Sequence, residues 1–310
     1  MRAHRQSRKN LNIEVTYSII LLKIEKGQIE AIPYFIIRNF LFDLASQMLR
    51  QDTYSIFIYK HNLLVALQIE IRYMQRNNKP KTTNNGQHAT DNIHTPQVKV
   101  CGLTRVENAL ECIAHGADAI GCIFYPKSPR HVTDDDARDI CRAVSSSAVR
   151  VGVFVNETFS FIMKKVQRCL LDAVQLHGQE SPELVNRLRK ENLNVIKTLF
   201  LNSKPAFENA KDYEPSAFLV ECGNGVLPGG NAVSWDWEKA RHLVENYPVI
   251  LAGGLSPENV SDAVKQSTSD AVDVSSGVEF SPGLKNTGRV EAFIQAVSMY
   301  DLKRKTRRIF

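Results

Sequence analysis

VKVCGLT at 98–104 and AVDVSSGVE at 271–279 are apolar runs that break off abruptly into small or reactive side chains. Near-continuous apolar runs suit strands buried on both faces of a parallel sheet. The second run stops at Ser-Ser-Gly, a turn whose backbone N–H groups can hold an anion such as phosphate. The first stops at a thiol and a glycine. If both strand ends open on one face of a single barrel, one supplies a reactive sulfur and the other a cradle for a small phosphorylated molecule.

Working outward from these two runs, eight similar strings recur: QVKVCGL (97–103), ADAIGCIF (117–124), VRVGVFV (149–155), LDAVQLHG (171–178), NVIKTLF (194–200), SAFLVEC (216–222), YPVILAGG (247–254) and DAVDVSSG (270–277). Helical patterns separate several of them. VENALECIAHG (106–116) carries an apolar stripe and stops at a glycine, and DDDARDICRAV (134–144) opens with acidic residues that suit a helix N-terminus. SPELVNRLRK (181–190) and SPENVSDAVKQ (256–266) each begin Ser-Pro, an N-cap followed by proline at the first helical position. Eight strands alternating with helices predict an α/β fold, the (β/α)8 TIM barrel, over residues 97–302. An open doubly wound sheet would more naturally place a GxGxxG turn after its first strand, and none follows here.

Residues 1–95 have another texture and are expected to form a poorly defined, weakly structured N-terminal extension of unknown role. Within it YSIILLKIE (17–25) reads as a strand and FLFDLASQMLR (40–50) as a short amphipathic helix, while residues 79–96 form a polar linker. Residues 1–95 hold 13 Lys and Arg against 7 Asp and Glu; residues 96–302 hold 21 against 26; the tail KRKTRRIF at 303–310 adds 5 basic residues. A basic tail can attract nucleic acid or anionic lipid, but the reading adopted is a solvated, frayed terminus. No nucleic-acid or membrane partner is expected. The apolar stretch IPYFIIRNFLF (32–42) is short and interrupted by charge, below the roughly 20 residues of a membrane span. No secretory signal is evident. The six cysteines form no CxxC pair and no zinc-like spacing, which suits reduced thiols in a cytoplasmic setting and no metal site. Oligomeric state is open, with a monomer favoured.

In a barrel of this kind the active site forms at the C-terminal ends of the strands. That places Cys101, Arg130, Asn156, His177, Glu221, Gly253, Gly254, Asp273, Ser275, Ser276 and Gly277 as candidates. Cys101 is either a small core residue or a thiolate at the strand end. Glu221 directly follows Phe-Leu-Val, so it is a mouth carboxylate or a costly buried charge, and the mouth is preferred. Asp273 is equally a ligand of loop N–H groups or a substrate contact. His177 is a strand-end residue or a substrate contact. Arg130 is a loop cation that can grip a carboxylate. Gly253, Gly254, Ser275, Ser276 and Gly277 give close-approach turns after the last two strands, where barrels commonly bind phosphate.

KVCGLT, GADAIGCIFYPKSPRHV, RVGVFVNE, DAVQLHGQE, ILAGGLSPENV and VDVSSGVEFSPGLKN together resemble phosphoribosylanthranilate isomerase of tryptophan biosynthesis, over residues 97–300. The resemblance implies an Amadori rearrangement of N-(5-phosphoribosyl)anthranilate to 1-(2-carboxyphenylamino)-1-deoxyribulose 5-phosphate, with no metal or organic cofactor. It makes Cys101 the general base acting at C2 of the sugar. It sets Arg130 against the anthranilate side and the two glycine- and serine-rich turns against the phosphate. The family's acid is an aspartate ending the sixth strand, which protonates the ring oxygen. Here Leu219-Val220-Glu221 stands in that place, and PGGNAVSWDW (228–237) lacks a glycine and a lysine of the family's corresponding segment. The added methylene moves the carboxyl by about one bond length, and a displacement of ~1 Å can cost ~10²-fold in rate. Glu221 is therefore expected to work as the acid only with a co-adapted loop. The alternatives are a barrel that merely binds a phosphorylated ligand, and an isomerase of a related aminoaldose phosphate.

Overall fold

The computed structural model describes residues 95–223 and 234–310. The expected strand at 17–25, the helix at 40–50 and residues 79–94 of the linker lie outside the described residues, as does the segment 224–233. All eight apolar strings form strands: β1 Gln97–Cys101, β2 Ala119–Ile123, β3 Val149–Phe154, β4 Ala173–Leu176, β5 Asn194–Phe200, β6 Ala217–Glu221, β7 Val249–Leu251 and β8 Ala271–Val274. They pair in parallel and in chain order, and β8 returns to β1 to close the barrel.

Strand alternation sorts each string into two cores. Val98 and Val100, Val174 and Leu176, Phe218 and Val220, and Val272 and Val274 face outward into the helix layer. Their neighbours Ala119, Val151, Ala173, Ile196, Ala217, Leu219, Ile250 and Ala271 fill the barrel interior. Continuing the inward set one or two steps toward the strand C-termini gives Cys101, Gln175, His177, Thr198, Glu221, Asp273 and Ser275. The lower interior is apolar and the upper interior is polar, so the fold itself delivers the candidate residues to one mouth.

The helices seal the outer faces. Helix α1 (Val106–His115) buries Ala109, Cys112 and Ile113 and ends at Gly116, which is left-handed at φ 111° and returns its N–H to the last-turn carbonyls. In α2 (Asp134–Val144) the Thr133 side chain caps the Asp136 N–H beside three acidic first-turn residues. Helix α3 (Phe159–Cys169) is capped by Thr158, and α4 (Pro182–Lys190) by Ser181 with proline at its first turn. After the short α5 (Arg241–Asn246), α6 (Val260–Ser267) starts later than expected. Ser256 is not its N-cap: Asn259 stands in that place, while its Oδ1 accepts the Ser256 N–H at 2.8 Å and its Nδ2 donates to the Gly254 carbonyl at 2.9 Å. That side chain holds residues 254–259 in a turn before the helix begins. A hairpin of β9 (Glu279–Ser281) and β10 (Leu284–Lys285) leads into α7 (Thr287–Ser298).

The basic tail is not frayed. It folds under the N-terminal face of the barrel, where Phe310 is only 8% exposed and belongs to the interior cluster of alanines, isoleucines, Val151 and Leu219. Gln97 Oε1 accepts the Ile309 N–H at 2.7 Å and Gln97 Nε2 donates to the Phe310 main-chain oxygen at 2.7 Å. The buried Asp270 carboxylate binds Arg304 Nη1 at 2.9 Å and the Arg307 N–H at 2.8 Å. Charge count alone hides this: two apolar residues end the tail, and a single buried aspartate holds its arginines in place.

Candidate active site

The thiol sits at the inward end of β1. It occupies space left by Gly121 on β2: a Cβ at 121 would stand 2.6 Å from the Cys101 sulfur. One inward step below, Lys99 is fully buried and donates to Asp273 Oδ1 at 2.8 Å. Burial works against the Lys99 charge, but Asp273 and the Cys101 sulfur together outweigh it and lift the ammonium above its usual range. Burial pushes the Cys101 thiol up, Lys99 pulls it back, Asp273 pushes it up further, and Lys285 pulls it back again. The two cations oppose this rise without cancelling it, so the thiol stays above its usual range.

The acid candidate faces the same mouth from β6, three strands round the closed barrel from β1. Glu221 is nearly buried, and its Oε1 lies 3.3 Å from His177 Nε2. Gly253, left-handed at φ 90°, leaves room for the Glu221 stem and for Trp235, whose Nε1 donates to the Ala252 carbonyl at 2.9 Å. Next to His177 the loops are locked by a buried pair. Lys197 Nζ meets Glu180 Oε2 at 2.7 Å, and Glu180 Oε1 accepts the Asn156 N–H at 2.9 Å. Burial drives the Lys197 ammonium down, with Glu180 opposing. Asn156 itself adopts φ 56° and accepts the Gln179 N–H at 2.7 Å, so it ties two loops together.

Arg130 is brought to the mouth, but not as a loose cation. Its Nε and Nη2 form a fork on Glu279, at 2.9 Å to Oε1 and 2.7 Å to Oε2. Its Nη1 makes no hydrogen bond among the described residues. Gly102 admits the arginine stem, since a Cβ there would lie 2.6 Å from Arg130 Cδ. Lys285 Nζ joins the same carboxylate at 2.7 Å and reaches the Ser275 carbonyl at 3.2 Å. Burial disfavours the Glu279 charge, yet Arg130 and Lys285 hold its carboxyl below the usual range.

The two expected anion turns lie side by side above β7 and β8. Gly253 and Gly254 both take positive φ, at 90° and 68°. Ser276 and Gly277 open a single 3-10 turn, and a Cβ at 277 would run into the Leu255 carbonyl. The backbone N–H groups of Gly254, Ser276 and Gly277 donate to no acceptor among the described residues. Ser275 Oγ instead donates to the Cys101 carbonyl at 3.0 Å and so links the anion turn to the thiol strand. Among the described residues no group of histidine, cysteine or carboxylate side chains could hold a metal ion.

Residues 98–296 match the family model described as N-(5'-phosphoribosyl)anthranilate (PRA) isomerase. The chain belongs to this family. It is 50% identical over 214 residues to the N-(5'-phosphoribosyl)anthranilate isomerase of Desulfatibacillum aliphaticivorans, covering 69% of this chain and 98% of the relative. The crystal structure of the Thermotoga maritima phosphoribosyl anthranilate isomerase superposes with a TM-score of 0.61 at 37% identity, over 66% of this chain and 100% of that one. A crystal structure of a phosphoribosyl anthranilate isomerase in complex with reduced 1-(o-carboxyphenylamino)-1-deoxyribulose 5-phosphate superposes with a TM-score of 0.59 at 37% identity, over 66% of this chain and 100% of that one. The chain is thus an isomerase of tryptophan biosynthesis built on a TIM barrel.

Sequence reading missed Lys99, Glu279 and Lys285. Lys99 lies between two valines in a strand, where a lysine reads as an intruder. Alternation alone would have placed it beside Cys101 on the inward face. The Arg130–Glu279 fork spans 149 positions, and no local pattern announces it.

Proposed function

We propose that Cys101 and Glu221 are the general base and general acid of the phosphoribosylanthranilate rearrangement. One observation carries this: both side chains occupy inward positions at the C-terminal ends of their strands, on opposite walls of one barrel mouth. Glu221 gives a proton to the furanose ring oxygen, the C1–O bond breaks, and the nitrogen lone pair forms a protonated Schiff base at C1. The Cys101 thiolate then takes the proton from C2, the electron pair moves toward the iminium nitrogen, and the resulting enolamine tautomerises to the 2-keto product. Arg130 faces the anthranilate carboxylate with its remaining amino group, while Asp273 and His177 border the sugar. The N–H groups at Gly253, Gly254, Ser275, Ser276 and Gly277 face the phosphate.

The barrel 97–302 carries the whole activity, supported by a family match that begins at residue 98. One chain supplies both reactive groups, which suits a monomer. The six free cysteines suit a reducing, cytoplasmic setting. Purified protein is tested by loss of phosphoribosylanthranilate fluorescence. Wild type consumes the substrate, as does a protein beginning at residue 96. Cys101→Ala and Glu221→Gln fold normally and lose ~10³-fold or more in kcat, within the ~10²–10⁴-fold that one general acid or base usually contributes. Near-normal turnover by either variant overturns the assignment. A wild type that binds the reduced product but never turns over favours the ligand-binding reading.

A further inference from the structure

The His177 ring is fixed on every side. Gln175, two residues earlier on the same inward face of β4, places its Nε2 2.8 Å from His177 Nδ1. Thr198 Oγ1 of β5 lies 3.1 Å from the same nitrogen. The Phe200 ring meets the imidazole edge-on, with centroids 5.7 Å apart and planes at 73°. Phe200 is also the register partner of Glu221. What the imidazole presents through this grip is Nε2, directed at Glu221 Oε1.

We propose that His177 is a positioning residue that acts through Glu221 rather than by holding substrate. This rests on the reading of Glu221 as the acid. The longer glutamate side chain has one more rotatable bond than an aspartate, and the imidazole is placed to remove that freedom. An amide nitrogen only donates, so with Gln175 as oriented Nδ1 accepts and Nε2–H donates to the Glu221 carboxylate. The buried Gln175 Oε1 then has no partner. Nε2–H can donate to Glu221 Oε1 whether the carboxyl is neutral or ionised, which leaves the proton on Oε2 for the furanose oxygen. The same ring thus grips Glu221 both before and after it gives up its proton.

A double-mutant cycle on the full chain tests this, with kcat, KM and thermal midpoint measured for each protein. His177→Ala lowers kcat by ~10–10²-fold, the scale of an ångström of misplacement, with KM within about threefold. His177→Gln, whose amide nitrogen reaches toward the same carboxyl, recovers most of the loss. In the Glu221→Asp background the shorter carboxyl has already left the imidazole, so adding His177→Ala costs several-fold less than in wild type. A raised KM with kcat kept, equal losses in both backgrounds, or a glutamine variant no better than alanine each overturns the proposal. Failure of the acid assignment itself shows separately, as turnover surviving in Glu221→Gln.

Discussion

Gly121 on β2 makes the room in which the Cys101 sulfur sits: a methyl group at 121 would press to 2.6 Å from it, well inside van der Waals contact. The neighbouring strand therefore sets where the thiol points. Gly121→Ala is expected to keep the barrel, at a cost of ~1–3 kcal/mol for overpacking. It should lower kcat by ~10²-fold through displacement of the thiol. Steady-state kinetics beside a melting curve separate the two effects. Unchanged kcat would mean that the sulfur position is set elsewhere.

The thiol needs help to ionise, because burial raises it and only Lys99 and Lys285 oppose that rise effectively. On the proposed assignment the base works as thiolate, so the rate should climb with pH through the thiol's titration. Lys285→Met removes one of the opposing cations. The rising limb of kcat/KM should then move to higher pH, with activity lost at neutral pH and recovered on the alkaline side. A rising limb that stays in place would detach Lys285 from the base.

Glu279 links Arg130 to Lys285, and its folded-state carboxyl is held below the usual range. A depressed carboxylate stabilises the fold fully above its unfolded value of ~4.3 and loses that contribution as pH falls through its folded value. The thermal midpoint of Glu279→Gln should lie below wild type at pH 7, and the gap should close in acid. A gap independent of pH would show that packing, not charge, is what Glu279 supplies.

The docked tail predicts a stability effect without a catalytic one. Phe310→Ala uncovers the apolar lower interior and should cost ~3 kcal/mol. For a barrel of this size that is roughly 6–12 °C in thermal midpoint. The kcat at 25 °C should stay within about twofold, since the mouth lies at the other end of the strands. An unshifted melting curve would contradict the docking.

The eight strands were legible because each is a short, predominantly apolar run, the mark of strands covered on both faces, and the runs recur between helical patterns. Strand-end position then delivered Cys101, His177, Glu221 and Asp273 without knowledge of their partners. What stayed hidden depends on contacts remote in sequence. Arg130 reads as a free cation until the fold brings Glu279 beneath it, and Asp273 until Lys99 rises to meet it. Ser181 and Ser256 have the same Ser-Pro signature, yet only the first caps a helix: the Ser181 hydroxyl accepts the Leu184 N–H, whereas a turn follows Ser256 and the helix begins only at Val260. KRKTRRIF was read by its charge, although Ile309 and Phe310 decide where it goes.

A crystal structure of this chain with the reduced product 1-(o-carboxyphenylamino)-1-deoxyribulose 5-phosphate tests the central claim most directly. The account predicts the sugar lying between the Cys101 sulfur, near C2, and the Glu221 carboxyl, with the phosphate on the N–H groups of Gly254, Ser276 and Gly277. A ligand bound with its C2 away from Cys101, or with its phosphate on other groups, would contradict it.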